Sequence, residues 1–202
     1  MIIDLAQLPP REAYQWMVNT ITPRPIAWVS TISAAGKTNL APFSFFQGVC
    51  AKPPTVIFCG SNDRTGKKKD SVINVREVPE FVVNLVPYSL RESMNLTAAT
   101  LPYGESEFEK FNIPTAPSET IRPPRVADAP VAFECKLERI VELGEGALGS
   151  SVVFGTILRM HVNESILNAE GCIDPAKLDV IGRLGGDFYT RTTELFAIKR
   201  PD

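Results

Sequence analysis

The segment Gly60-Ser61-Asn62-Asp63-Arg64-Thr65-Gly66 runs into three consecutive lysines, Lys67, Lys68 and Lys69, and then into Asp70 and Ser71. A basic loop feeding a helix start can cradle an anion. First-turn N–H groups have no partner within the helix, and the positive end of its dipole faces the same way. The lysines add point charge and the Ser71 hydroxyl one more donor. The same residues read equally as a solvated basic loop whose Asp70 caps the helix. A triphosphate-binding loop is excluded by spacing. Five residues separate Gly60 from Gly66 where that motif needs four, and Lys67 is followed by Lys, not Ser or Thr.

The other chemistry-bearing residues are few. His161 is the single histidine, which removes His-rich zinc sites and the HExxH proteases. Cysteines 50, 59, 135 and 172 form no CxxC pair, so they are expected as small buried apolar residues and no metal site is expected. There is no GxSxG elbow for a serine hydrolase. Nor does a GxGxxG follow any strand, so a nicotinamide cofactor would not sit in a Rossmann crevice.

With 21 basic against 23 acidic residues in 202, the formal net charge is −2, which argues against a nucleic-acid-binding surface. No apolar run approaches the roughly 20 residues of a membrane span. The N-terminal MIIDLAQLPPRE lacks a basic stretch followed by an apolar one, so no secretory signal is read there. The expectation is a soluble, cytoplasmic protein, residues 1–202 forming a single domain.

The elements that must position the lysine loop read as mainly β. Seventeen prolines punctuate short runs of branched and aromatic residues. Arg24 to Ser33 reads as a strand, residues 34–37 as a turn with Gly36 at a positive φ, and Thr38 to Phe46 as the returning strand. Pro42 places that second run at a sheet edge or a bulge. Thr55–Gly60, Glu80–Val86, Ser150–Val162 and Glu194–Ile198 read as further strands. Val131–Leu137 alternates, with Val131, Phe133, Cys135 and Leu137 on one face and Ala132, Glu134 and Lys136 on the other. Helical periods appear only in short pieces, at Ser71–Glu77, Ser89–Ala98 and Ser106–Phe111. Asn112 to Pro130, with five prolines, reads as an extended loop. Strands that do not alternate with long helices point to a barrel or sandwich with helical decorations.

Several separated segments, in order, resemble the flavin reductase-like family. They are Arg24-Pro25-Ile26-Ala27-Trp28-Val29-Ser30-Thr31, Asn39-Leu40-Ala41-Pro42-Phe43-Ser44-Phe45-Phe46 and Pro53-Pro54-Thr55-Val56-Ile57-Phe58. The similarity continues through Lys69-Asp70-Ser71 with Asn74, Glu80 to Leu85, and Arg183-Leu184-Gly185-Gly186 with Tyr189. It thus spans roughly residues 21–201. The resemblance implies an antiparallel Greek-key split β-barrel of six strands, the FMN-binding split barrel, with short flanking helices. It also implies a homodimer binding FMN near the subunit interface.

By the same resemblance the flavin ring lies along Ser44, Phe45, Phe46, Gln47, Cys50 and Ala51, with Thr31 a ring-side polar position. Ser61, Lys68, Lys69 and Ser71 hold the phosphate, and Arg183 and Tyr189 approach the flavin. Ser71 stands where the family usually has Thr, which keeps the hydroxyl, and Gln47 where it often has Asn. His161 matches a histidine on the open, nicotinamide side of the ring, orienting or screening charge. The implied activity is an FMN-dependent oxidoreductase that takes a hydride from NAD(P)H and passes electrons onward. FAD can replace FMN in this reading. A flavoredoxin-like carrier reduced by a protein partner, and a non-turnover FMN-binding protein, are the alternatives.

Overall fold

The computed structural model describes residues 1–201; Asp202, the last residue of the expected domain, lies outside them. The fold is mainly β, as expected. Seven strands form one antiparallel sheet: β2 (Ala27–Ile32), β3 (Thr38–Phe43), β4 (Phe46–Ala51), β5 (Pro54–Ser61), β6 (Glu80–Leu85), β9 (Val131–Leu143) and β10 (Ser150–Val162). Their spatial order is β3-β2-β6-β9-β10-β5-β4. The short pairs β1 (Arg24–Pro25) with β11 (Ile181–Arg183) and β12 (Tyr189–Arg191), and β7 (Thr115–Ala116) with β8 (Arg125–Val126), stand apart from it.

Alternation explains how this sheet rolls up. Ala27 and Val29 of β2, Phe81 and Val83 of β6, Cys135 of β9, Val153 of β10 and Phe58 of β5 enter one core. Phe43, on the edge strand β3, reaches across to Phe58, with ring centroids 4.9 Å apart. Strands β3 and β5 face each other there without ladder pairing, so the barrel is split along this seam. The expected edge position of Pro42 follows, since β3 pairs only with β2 and proline has no N–H to offer a second neighbour. The opposite residues of β2 and β3, Trp28 and Leu40, are buried in a second core under α3 (Arg91–Leu96) and α4 (Glu107–Lys110).

One helix governs the site. α2 (Asp70–Glu77) sends Val72 and Val75, both fully buried, into the first core. A Cβ on Gly60, at the end of β5, would lie 2.6 Å from Val72 Cγ2. The bare glycine lets β5 and α2 approach closely enough to hold the lysine loop between them.

Four expectations change. Phe46 leaves β3 after a break at residues 44 and 45 and begins β4, an edge strand whose residues 47–51 are exposed. α1 (Pro10–Thr20) is a further helix, entered through Pro10 at its first position and burying only Val18. Residues 194–198 form no strand; Leu195, Phe196 and Ile198 are exposed. Cys50 and Cys172 are exposed, so only Cys135 fits the buried-apolar expectation fully, with Cys59 half-buried. Among the described residues no helix is long and apolar enough to cross a membrane.

Candidate functional site

A cleft of about 300 Å³ lies where α2 begins. One wall is residues 41–43 of β3, the other residues 97–101 after α3, and its floor is the lysine loop with Asp70 and Ser71. The loop is pre-shaped. The Asp63 carboxylate accepts from the Thr65 and Lys67 N–H groups and the Thr65 hydroxyl, at 2.8, 2.9 and 2.6 Å, which holds it below the ordinary carboxylate range. Asn62 braces the loop against its neighbour by donating from N to Gly149 O and from Nδ2 to Gly146 O.

Asp70 does not cap α2. Lys69 is the N-cap, with no side-chain capping bond, and Asp70 is the first helical residue. The first N–H groups of α2 therefore face the cleft end without a side-chain acceptor. The three lysines are not equivalent. Lys67 lies 3.7 Å from Asp70, and Lys68 donates to Glu142 and to Ser151 Oγ at 2.6 and 3.1 Å. Glu142 also pairs with Arg76. Lys69 is exposed and has no carboxylate within ion-pair distance among the described residues. Within the cleft it is the lysine left to bind an incoming anion.

The acids in the cleft do not cancel it. Asp63 is consumed by its turn and Asp70 by Lys67. Glu107 is buried, and desolvation raises its pKa despite the N–H of Leu40 donating to it at 2.9 Å, which favours the neutral carboxylic acid. An anionic group at Lys69 thus meets an excess of donors, and the apolar wall of Ala41, Pro42 and Phe43 can take a flat ring.

Ser71 lines this cleft, but its side chain is 1% exposed and its Oγ accepts from Asn39 Nδ2 at 2.9 Å. Thr31, also fully buried, accepts from Asn74 Nδ2 at 3.1 Å. Both hydroxyls dock α2 on the barrel, Thr31 from beneath it, and what Ser71 offers the cleft is its backbone N–H. Ser61 ends β5 at the start of the loop, opposite Ser150.

The expected ring-side segment continues from the apolar wall. Ser44 Oγ accepts from Arg24 Nε at 3.4 Å, and Phe45 lies near Arg24 and Tyr14. Phe46 packs on the barrel core, whereas Gln47, Cys50 and Ala51 are exposed along β4. Arg24 itself went unread as a site-shaping residue. Although 5% exposed, it donates to the carbonyls of Val18, Ile21 and Leu184, fixing α1 and the C-terminal segment around Ser44. An arginine leading an apolar strand was the signal for it. The alanine-rich stretch after α3, Asn39 and Glu107 were likewise missed.

Three expected residues stand elsewhere. Arg183 and Tyr189 line a second cavity across α3. His161 lines neither: its Nε2 lies 2.6 Å from Glu134 Oε1, at the opposite end of β10 from Ser151. Within this chain His161 therefore does not reach the cleft. Glu134, expected on a polar outer face, is fully buried beneath the loop preceding β9. It accepts from the N–H groups of Glu119 and Thr120, at 2.7 and 2.8 Å, and from the Thr120 hydroxyl. These bonds outweigh the cost of burial and hold its carboxyl down to about 2.

This split antiparallel barrel is shared with known proteins. The family model described as "Flavin reductase like domain" matches residues 19–175, and the chain belongs to that family. An uncharacterized protein from Deinococcus radiodurans is 38% identical, over 98% of this chain and 88% of its own length. Nitrilotriacetate monooxygenase component B from Bacillus cereus superimposes with a TM-score of 0.92 at 34% identity, covering 98% of both chains. The Pseudomonas fluorescens 2-nitrobenzoate 2-nitroreductase NbaA gives a TM-score of 0.89 at 32% identity, covering 100% of this chain and 96% of its own.

Proposed function

We propose that the chain binds FMN with its phosphate at the start of α2 and its ring along the wall from Ala41 to Gln47. It then takes a hydride from NADH or NADPH and passes the electrons to free flavin or another acceptor. One observation carries this reading: an uncapped helix start, an unpaired Lys69 and an apolar strand edge meet in a single cleft. Membership of the family and the likeness to a monooxygenase component and a nitroreductase support it.

When bound, FMN supplies the two-electron acceptor, and the chain contributes binding and orientation. Lys69 and the N–H groups of Asp70 and Ser71 hold the phosphate. Ala41, Pro42 and Phe43 exclude water from one ring face. Glu107, whose pKa burial raises, lines the same cleft.

The test is anaerobic rapid mixing of FMN-loaded protein with NADH and, separately, NADPH. Loss of the visible flavin absorbance at rates of about 1–10³ per second is expected. Colour that persists until a reduced electron-transfer protein is added would overturn the reductase reading in favour of an electron carrier.

A further inference from the structure

A second cavity, of about 430 Å³, opens on the other side of α3, and its chemistry differs from that of the lysine cleft. Its walls are stacked arginines and tyrosines. The guanidinium carbons of Arg91 and Arg191 lie 4.2 and 4.1 Å from the ring centre of Tyr88, and that of Arg183 lies 4.4 Å from the ring centre of Tyr189. Such stacks present flat faces while leaving guanidinium edges free to donate.

The three arginines are committed to different degrees. Arg191 forks onto Asp179 at 2.6 and 2.7 Å, and Arg91 donates to the Tyr88 carbonyl with its Nε 3.4 Å from Glu92. Arg183 donates to the Gly186 carbonyl and, among the described residues, has no carboxylate within ion-pair distance. Glu92 and Asp187 also border the cavity, but both are exposed to water. A flat slot with one unpaired guanidinium suits a planar base carrying an anion.

The two cavities share a wall. Asn95, which accepts from the Tyr189 hydroxyl at 3.3 Å, faces the second, while Thr97 and Ala98 line the first. Only two or three residues of chain, at the end of α3, separate those positions. Arg24 supplies another link, donating both to Ser44 and to the carbonyl of Leu184, the residue after Arg183.

We propose that this second cavity is an adenylate site, taking the base against the Tyr–Arg stacks and the phosphate on Arg183. This rests on the flavin reading of the first cleft. Adenylate is the half common to NAD(P)H and to FAD, and either molecule could place its reactive ring across α3 while anchored here. Its volume falls within the range of nucleotide-sized pockets.

The experiment is calorimetric titration of adenosine 5′-monophosphate into FMN-loaded wild type, Arg183→Gln and Tyr189→Leu, with FMN affinity measured on the same preparations. Binding to the wild type is expected, weakened about tenfold or more by Arg183→Gln, since a charge-assisted contact is lost. Adenosine, which has no phosphate, should lose less affinity than adenosine monophosphate in Arg183→Gln, where only its stack on Tyr189 changes, whereas Tyr189→Leu should weaken both ligands alike. Two further readouts separate the sources of the adenylate. A raised KM for NAD(P)H in Arg183→Gln assigns the site to the electron donor, and weakened FAD at unchanged FMN affinity assigns it to the flavin. Wild type that binds FMN but no adenosine monophosphate overturns the adenylate site and leaves the first reading standing. Joint loss of FMN and adenosine monophosphate in Arg183→Gln would make Arg183 a flavin contact and also overturn it. A wild type that binds no FMN at all defeats the first reading itself.

Discussion

Lys68 and Lys69 are adjacent and chemically identical, yet one is held by Glu142 and Ser151 and the other pairs with no carboxylate among the described residues. Nothing in the local run of sequence distinguishes them, because Glu142 and Ser151 arrive from strands more than 70 residues away. Glu134 teaches the same point. Strict alternation put it outside, but the proline-rich loop folds back over that face and supplies donors to its carboxylate. Its folded pKa of about 2 is below the ordinary value of 4.5. The ionised Glu134 carboxylate and its donors therefore stabilise the fold fully above about pH 4.5, and this contribution fades as pH falls from there towards 2. Glu134→Gln should lower stability near neutral pH by about 1–3 kcal/mol, and urea denaturation should find its acid loss shallower than that of wild type. Equal pH slopes for the two proteins would show that Glu134 is not the group whose protonation loosens the loop.

At the scale of elements, the strands with clean alternation and the turn at Gly36 were legible, as was the span of β10. α1 was not, although Ala13, Tyr14, Met17, Val18 and Ile21 recur at helical spacing, because the run is short, opens on two prolines and buries only Val18. β4 was hidden for a related reason. Its residues are exposed on an edge, and only the break at Ser44 and Phe45 separates it from β3. The start of α2 was readable from the lysines and Ser71, but the close approach that sets it was not. That approach runs through Gly60, where an added methyl would press on the stiff, fully buried Val72. Gly60→Ala should cost about 1–3 kcal/mol by overpacking. It should also weaken FMN more than riboflavin, since the displaced part is the phosphate end of the cleft. Thermal unfolding and flavin fluorescence titration check both, and unchanged FMN affinity in a destabilised variant would detach α2 from phosphate binding.

The whole molecule is a barrel left open along the seam between β3 and β5, with an unpaired outer edge on β4 and exposed apolar side chains at Val49, Phe188 and Phe196. We propose that a second copy of the chain pairs along the open β4 edge, as isologous dimers do, and light scattering should return twice the chain mass. A monomer that retains flavin would contradict it. Within that assembly we propose that the cleft at the start of α2 is built for the phosphate of FMN. Calorimetric titration of FMN and riboflavin into wild type and Lys69→Ala tests it most directly. FMN affinity should fall about tenfold or more in the variant, the loss of one charge-assisted contact, while riboflavin stays within about twofold. Equal losses for both ligands, or FMN binding indifferent to Lys69, would contradict the assignment.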